Sequence, residues 1–537
     1  MRLTTSLGPA ILLVVTLSLP TGATERYVAI GGTDSGPGTN AISPWATITY
    51  AVSNSGSNDT VHVGPGIYTE NEINFSGTLT LLGAGATQTI VQAAATPGTA
   101  TNRVLNFHSS SVCAVSDLTV RNGRSLDGEA GGIRNSGSLT LTRVNIISNM
   151  AASVGGGIRS QVHSLRLSDC RIEGNTAATN GGGIEFYAAP LIASNVTFCG
   201  NTAGASGGGF YNNGATGSVW NSSIVSNRAL GGAQCGGGGI ANEGPLTLVN
   251  CTVSFNSALQ DGGGIRNNIT NLTLWVRHCT IAFNSAANRG GGLDSTTAEP
   301  IVLGDTILSG NTAALNPDTF ATYLSENYNL IQNTSGATLG GINSSNVIGR
   351  DALLGPLQNN GGPTPTHAPA TNSPAINAGN PAFAAPPATD QRGAPRVQRG
   401  RVDIGAYEVL EADQDGDGMD GQWEFVHGLN PTNAADAAVD SDGDGCSNLA
   451  EYTADTDPWS AASRWCLTSI VATGRVSVGF FSSSARVYDL ESSGNLATNQ
   501  WKGVVGHTNV AGIGGPFTIT DTNAANPRYY RVRVRVP

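Results

Sequence analysis

The sequence predicts an all-β protein whose long N-terminal part is a right-handed parallel β-helix, and three observations carry that reading. Glycine supplies 72 of 537 residues, about twice average usage, while a glycine inside a helix costs about 1 kcal/mol against alanine. Glycine clusters recur just before one apolar residue, at Ile133, Ile158, Ile184, Phe210, Ile240, Ile265 and Leu293, with steps of 25, 26, 26, 30, 25 and 28. An asparagine keeps the same step at Asn149, Asn175, Asn201, Asn227, Asn256, Asn284 and Asn311. Two markers sharing one period identify a stacked repeat.

The N-terminus comes first. Arg2, the apolar run Ile11 to Leu19 and Thr21-Gly22-Ala23 have the layout of a secretory signal peptide over residues 1–23. No later run offers 18 consecutive apolar residues, so the mature chain is expected to have no transmembrane helix and to be secreted or associated with the cell surface and outer membrane. Ser43 and Pro44 are expected to start a short helix whose Trp45, Ile48, Ala51 and Val52 share a face and plug the first coil.

Within each repeat, short alternations such as Leu139-Thr140-Leu141 and Cys170-Arg171-Ile172 read as strands with one face inward. Three strands per coil are expected, with glycine and asparagine at the corners; the asparagine would use the left-handed region and bond to its copies above and below. Val144, Cys170, Val196, Ser222, Cys251, Cys279 and Thr306 form a small inward stack. Ile146, Ile172, Phe198, Ile224, Val253, Ile281 and Leu308 form a bulky one. Cys170, Cys251 and Cys279 are then reduced core fillers rather than nucleophiles. The domains read as a β-helix with its cap over 24–340, a cap region over 341–410, an acidic segment over 411–460 and a small β-sandwich over 465–537.

The Gly-Gly-x-Ile and apolar-x-x-Asn pattern, as in Phe198-Cys199-Gly200-Asn201, resembles the repeats of chlamydial polymorphic outer membrane proteins. The first coils, with Asp59-Thr60-Val61-His62-Val63 and Pro65-Gly66-Ile67-Tyr68, look like a pectate-lyase-like β-helix. Downstream, Asn360-Gly361-Gly362-Pro363, Ser373-Pro374-Ala375-Ile376-Asn377-Ala378-Gly379, Asp390-Gln391-Arg392-Gly393 and Val402-Asp403-Ile404-Gly405-Ala406-Tyr407-Glu408 resemble the choice-of-anchor Q domain of bacterial surface proteins. There Asp390, Arg392, Asp403 and Glu408 are read as an ion-paired cap rather than as catalytic groups. No sorting signal and no barrel-length C-terminal segment is present, so the autotransporter step of the outer membrane proteins is not expected.

From Glu411 to Asp457 there are 13 acidic residues and no Lys or Arg, against a whole-chain charge of −11. The rest is close to neutral, with no basic stripe, so a nucleic-acid partner is excluded. Two segments fit the loop formula D-x-[DN]-x-[DN]-G-x₅-E: Asp413, Asp415, Asp417, Gly418 and Glu424, then Asp440, Asp442, Asp444, Gly445 and Glu451. Ca²⁺ takes six to eight hard oxygens, so both are expected to bind it, with the main-chain carbonyls of Met419 and Cys446 adding a ligand each. The punctuation Gly428-Leu429-Asn430-Pro431 and Thr456-Asp457-Pro458 resembles dockerin and thrombospondin type 3 repeats. One short helix after each loop points to a spacer stiffened by calcium rather than a sensor. Cys446 and Cys466 flank the second loop and are read as a disulfide; Cys199 and Cys235 are a weaker pair.

The residue after each glycine corner reads Arg134, Arg159, Glu185, Tyr211, Ala241, Arg266 and Asp294. Stacked at about 4.8 Å, this column resembles a face for a sugar acid, with Phe186 and Tyr211 as a stacking platform. Substrate-binding residues are therefore expected at Arg134, Arg159, Glu185, Phe186, Tyr211 and Arg266, and no catalytic residue is assigned. The exterior acids Asp169, Glu173, Glu185, Glu243, Asp261 and Asp294 are scattered; Glu173 with Glu185 is the one pair worth checking for hydrolysis. The reading is a bacterial binding or adhesion protein for extracellular polysaccharide, with a polysaccharide lyase or glycoside hydrolase as the alternative.

Overall fold

Apolar residues that alternate every second position and recur every coil have one way to be buried together, by stacking the coils in register. The computed structural model describes residues 22–537 except 270–272, 298, 384, 398–400, 411, 473–474, 499 and 523–528; the signal-peptide reading lies, up to residue 21, outside the described residues. The chain divides into two units, residues 1–350 and 351–537.

The first unit is a right-handed parallel β-helix. The apolar residue after the glycines pairs coil to coil, Ile133 with Ile158, then Ile184, Phe210, Ile240, Ile265 and Leu293. All seven are fully buried, and each such side chain contributes about 1.5–3 kcal/mol. A second column stacks Leu139, Leu165, Leu191, Gly217, Leu246 and Leu274. The third contains the bulky stack Ile146 to Leu308 and runs through twelve strands. A fourth column was not foreseen: eight short strands, such as Met150–Ala151 and Thr176–Ala177, pair along the corner after the asparagine.

The corners also differ from expectation. The asparagines do not take the left-handed conformation. The residue before each one does: Ser148, Gly174, Gly200, Ser226, Phe255, Phe283 and Gly310 have φ between 55° and 69°. This leaves each asparagine side chain pointing inward, where the expected hydrogen-bonded stack forms. Asn149 Nδ2 donates to Asn175 Oδ1 at 3.0 Å, and the same bond repeats at 2.9–3.0 Å through Asn201, Asn227, Asn256, Asn284 and Asn311. Asp318 ends the series by accepting from Asn311 at 2.9 Å. Beyond it the strand Thr319–Glu326 pairs with both Leu293–Ser295 and Ile301–Gly304, so one corner straightens and the sequence period fades there.

The glycine triplets have two separate causes. Gly181 takes φ +65, which side chains rarely adopt, whereas a Cβ on Gly182 would lie 2.6 Å from the main-chain oxygen of Gly208 in the next coil. The first glycine makes the turn and the next two let coils approach.

At the N-terminus, helix α1 spans Ile48–Asn54 and begins later than expected, because Thr47 is its N-cap. Asp34 Oδ1 accepts from the Ala46 and Thr47 amides, and Glu70 accepts from those of Ile48 and Thr49. Trp45, Ile48 and Ala51 are buried and Val52 packs at the rim of the same core. That core receives α1 as its plug.

In the second unit, Asp390, Arg392, Arg396, Asp403 and Glu408 are all buried. Arg392 pairs with Asp390 at 2.9 Å and lies 3.5 Å from the Tyr407 ring centre. Glu408 accepts from the Asp403 amide at 3.0 and 3.1 Å. Two short helices follow, α2 (Gly421–Val426) and α3 (Asn448–Ala454). The C-terminal strands form two antiparallel sheets that share Val478, Phe480, Tyr488, Leu490, Val504 and Ile519, a small β-sandwich.

Candidate metal centre and display face

The two acidic loops fold alike, as their matching sequences require. Asp413 accepts from the Gly416 and Gly418 amides at 2.8 and 3.1 Å; Asp440 accepts from those of Gly443 and Gly445 at 2.8 and 2.9 Å. Asp417 accepts from the Met419 amide and Asp444 from the Cys446 amide. Gly418 and Gly445 both take φ +95, the bend that lets the chain circle a point. Asp420 caps α2 and Ser447 caps α3, which turns Glu424 and Glu451 inward.

Each loop thereby holds carboxylate oxygens with no hydrogen-bond donor: Asp415 Oδ2, Asp417 Oδ2 and both oxygens of Glu424 in the first, Asp442 Oδ2, Asp444 Oδ2 and Glu451 Oε2 in the second. Glu424 is 0% exposed and Glu451 1%. Burial, reinforced by the neighbouring aspartates, pushes the Glu424 carboxyl up to about 8 and that of Glu451 to about 6. Buried oxygens without donors are costly. A hard, oxygen-seeking cation is the chemical partner that this donor set fits. Ligand atoms of Asp413, Asp415 and Asp417 lie within 4.8 Å of one another, as do those of Asp440, Asp442 and Asp444. Met419 is fully buried behind its loop and Cys446 is half-buried. Sequence reading missed Asp436, whose ligand atom clusters with those of Asp417 and Glu424. It lies outside the twelve-residue formula.

The expected Cys446–Cys466 disulfide is not formed; both cysteines are free, Cys446 held in the second loop beside Asp444 and Cys466 exposed. Cys199 and Cys235 are likewise free. Cys170, Cys251 and Cys279 are buried free thiols, each placing Sγ 3.2 Å from the carbonyl two residues earlier.

On the β-helix, Arg134, Arg159, Glu185, Tyr211, Ala241, Arg266 and Asp294 do stack in one column. It is not an open face. The glycine turn of each coil folds over it, so Glu185, Tyr211, Arg266 and Asp294 are buried. Their charges are met internally. Arg159 bridges Glu129 and Glu185, the latter at 3.1 Å; Arg134 pairs with Glu129 at 3.0 Å; and Arg289 donates to Asp294 at 2.7 Å. Arg266 donates to the Gln234 carbonyl and Tyr211 to Glu243 at 2.8 Å. Burial raises the Glu185 carboxyl against the pull of Arg159.

Phe186 is a clear correction: its ring is fully buried in the core, not on a platform. It follows outward Glu185 and so points inward, into a column reading Asn135, Ser160, Phe186, Asn212, Asn242, Asn267 and Ser295. That column is a second polar stack, with Asn212 donating to Asn242 and Asn242 to Asn267, both at 2.8 Å. The third residue after each glycine cluster carried this signal. Glu173 and Glu185 are not brought together: Glu173 pairs with Arg171 in another column.

The exposed rings lie elsewhere. On the outer side of the leucine column, Trp220 (36% exposed) aligns through Val249 with Arg277, whose guanidinium lies 4.3 Å from the Trp275 ring centre. Arg277 pairs with Glu326 at 2.6 Å, and Ile192 is exposed one coil before Trp220's. The alternation Gly217-Ser218-Val219-Trp220, with Val219 buried, already pointed Trp220 outward. Among the described residues no helix is long and apolar enough to cross a membrane.

No protein-family model matches the chain, and no curated protein matches it. Solved structures do. It is similar to a pectin methylesterase of Erwinia chrysanthemi at 13% identity, covering 46% of this chain and 81% of that one, with a TM-score of 0.30. A GH87 α-1,3-glucanase catalytic domain matches at 11% identity over 60% and 68% of the two chains, TM-score 0.29. The Aspergillus niger pectin methylesterase matches at 12% identity over 62% and 84%, TM-score 0.15.

Proposed function

We propose that this chain is a secreted or cell-surface bacterial protein that binds extracellular polysaccharide, with a calcium-stabilised spacer before its C-terminal sandwich. The observation that carries the binding reading is the outer side of the leucine column, where Trp220 and the Trp275–Arg277 pair are fixed by parallel register two coils apart, with the Leu246–Val249 strand between them. Rigid rings on a flat sheet suit stacking against sugar faces, and they need no reordering on binding. The ion-paired Arg134–Glu129–Arg159–Glu185 chain belongs to the scaffold in this reading, because its arginines are already neutralised.

Calcium would be held by Asp413, Asp415, Asp417 and Glu424 in the first loop and by Asp440, Asp442, Asp444 and Glu451 in the second, with the Met419 and Cys446 carbonyls. Bound there, it supplies positive charge to buried oxygens that lack donors. The resemblances to choice-of-anchor Q and thrombospondin type 3 segments support attachment at a bacterial surface. The hydrolase alternative has less behind it, since the one pair of acids considered for it is split between columns.

Affinity electrophoresis against acidic and neutral polysaccharides tests the reading. A Trp220→Ala/Trp275→Ala variant is expected to lose about tenfold in affinity, in line with about 0.5–1.5 kcal/mol for each of two aromatic contacts. Undiminished binding by that variant, or turnover of polymer to unsaturated ends, overturns it.

A further inference from the structure

We propose that Asp436 is a fifth carboxylate of the first calcium site, which makes the two sites unequal. This rests on the calcium reading above. Asp417 shares one cluster with Asp413 and Asp415 and another with Glu424 and Asp436, ligand atoms lying within 4.8 Å in each. Asp417 therefore joins the two triads into one constellation of five acids. Glu424 is 0% exposed with both oxygens lacking any donor, and Asp436 Oδ1 lacks one as well. The other oxygen of Asp436 is held by the Asn430 amide at 3.0 Å, which aims the free one.

The segment bearing Asp436 is itself fastened. Asp436 opens a short 3₁₀ turn, Asp436–Ala438, and its carbonyl accepts from Asn448 Nδ2 at 2.9 Å. Asn448 is fully buried at the first turn of α3 and also accepts from Ser441 at 2.9 Å.

Among the described residues, no acid clusters with the second loop as Asp436 does with the first. The 27-residue step that carries Asp413 onto Asp440 carries Asp436 onto Ser463, whose hydroxyl oxygen is occupied by the Asp457 amide at 2.9 Å. Affinity for calcium follows ligand charge and site rigidity. Five carboxylates on a fastened turn bind more tightly than four.

Calorimetric titration of the full chain with Ca²⁺, after EDTA treatment and dialysis, tests this. Two classes of site are expected, with the tighter one weakened about tenfold or more in Asp436→Asn and unchanged in Ser463→Ala. Asn keeps the acceptor for the Asn430 amide, and circular dichroism of the calcium-loaded variant checks folding. Two classes in both proteins with the same affinities would overturn the role of Asp436 while leaving calcium binding intact. Absence of binding by the unaltered chain would overturn the calcium reading and this one with it.

Discussion

Phe186 reaches into the space that Gly217 leaves in the leucine column: a Cβ on Gly217 would lie 3.2 Å from Phe186 Cζ, and 2.7 Å from Leu246 Cδ1 in the next coil. The neighbours of Gly217 in that column are Leu191 and Leu246, and those of Phe186 in its own are Ser160 and Asn212. Each residue is an exception to its stack and the two exceptions compensate. Phe186→Asn alone is expected to cost about 3–5 kcal/mol as a cavity substitution, and Gly217→Leu alone about 1–3 kcal/mol by overpacking. Combined, they restore both stacks, so the double variant should lie well above the sum of the singles. Urea unfolding of the three variants measures the coupling; additive losses would show that the two sites do not share space.

The asparagine stack gives a second prediction. Asn201 donates to the Ile172 carbonyl at 2.8 Å and to Asn227 at 2.9 Å, while accepting from the Asn175 amide at 3.0 Å, all without solvent. Asn201→Ala removes the acceptor of the Asn175 amide and the Nδ2 donor to the Ile172 carbonyl, both in the preceding coil, while Asn227 Oδ1 keeps the Asn201 main-chain N–H; each group left unpaired costs about 1–3 kcal/mol. Because coils touch only their neighbours, the loss should be local. Hydrogen exchange is expected to rise in coils around residues 175–227 and not near Asn284; uniform exchange would refute the local picture.

How much of this was legible follows from which residues repeat faithfully. Asparagine is invariant through seven coils, so its stack could be read from spacing alone. The left-handed corner before it is occupied by residues as unlike as Gly200, Ser226 and Phe283, and no composition rule marks it. Phe186 misled because a lone aromatic beside an outward acid looks like a platform, whereas alternation sends it inward. Whether a column is open to solvent depends on how the glycine turns fold back, which periodicity does not encode; hence the burial of Glu185 and Arg266 was unseen. Asp436 escaped because its partners, Asp417 and Glu424, are brought to it by folding rather than by the loop formula.

Removing calcium should affect the acidic segment selectively. Ligand binding to the folded form alone adds about 2.7 kcal/mol at a concentration one hundred times Kd. EDTA is therefore expected to lower the melting transition of residues 351–537, and Asp415→Asn with Asp442→Asn to reproduce the shift in the presence of calcium. The β-helix transition should not move. Calorimetry resolves the two; a single transition indifferent to EDTA contradicts the prediction.

The last prediction concerns pH and the buried cluster of Asp390, Asp403, Glu408, Arg392 and Arg396. Three acids face two guanidinium groups, so charge balances when one carboxyl keeps its proton. Burial, aided by the charge of Asp403, pushes Glu408 up to about 9, and burial pushes Asp403 up to about 6, with Arg396 opposing both. Both folded-state values lie above those of the unfolded chain, so the folded form binds the extra protons. Stability from this cluster is then greatest below about pH 4 and declines as pH rises toward 9, since the unfolded chain releases its protons first. Glu408→Gln keeps the shape and fixes the neutral state, so it should flatten the decline between pH 6 and 9 while leaving the β-helix transition unchanged. Denaturant unfolding of the second unit across that range provides the check, and an equal slope in the variant would assign the proton to another group.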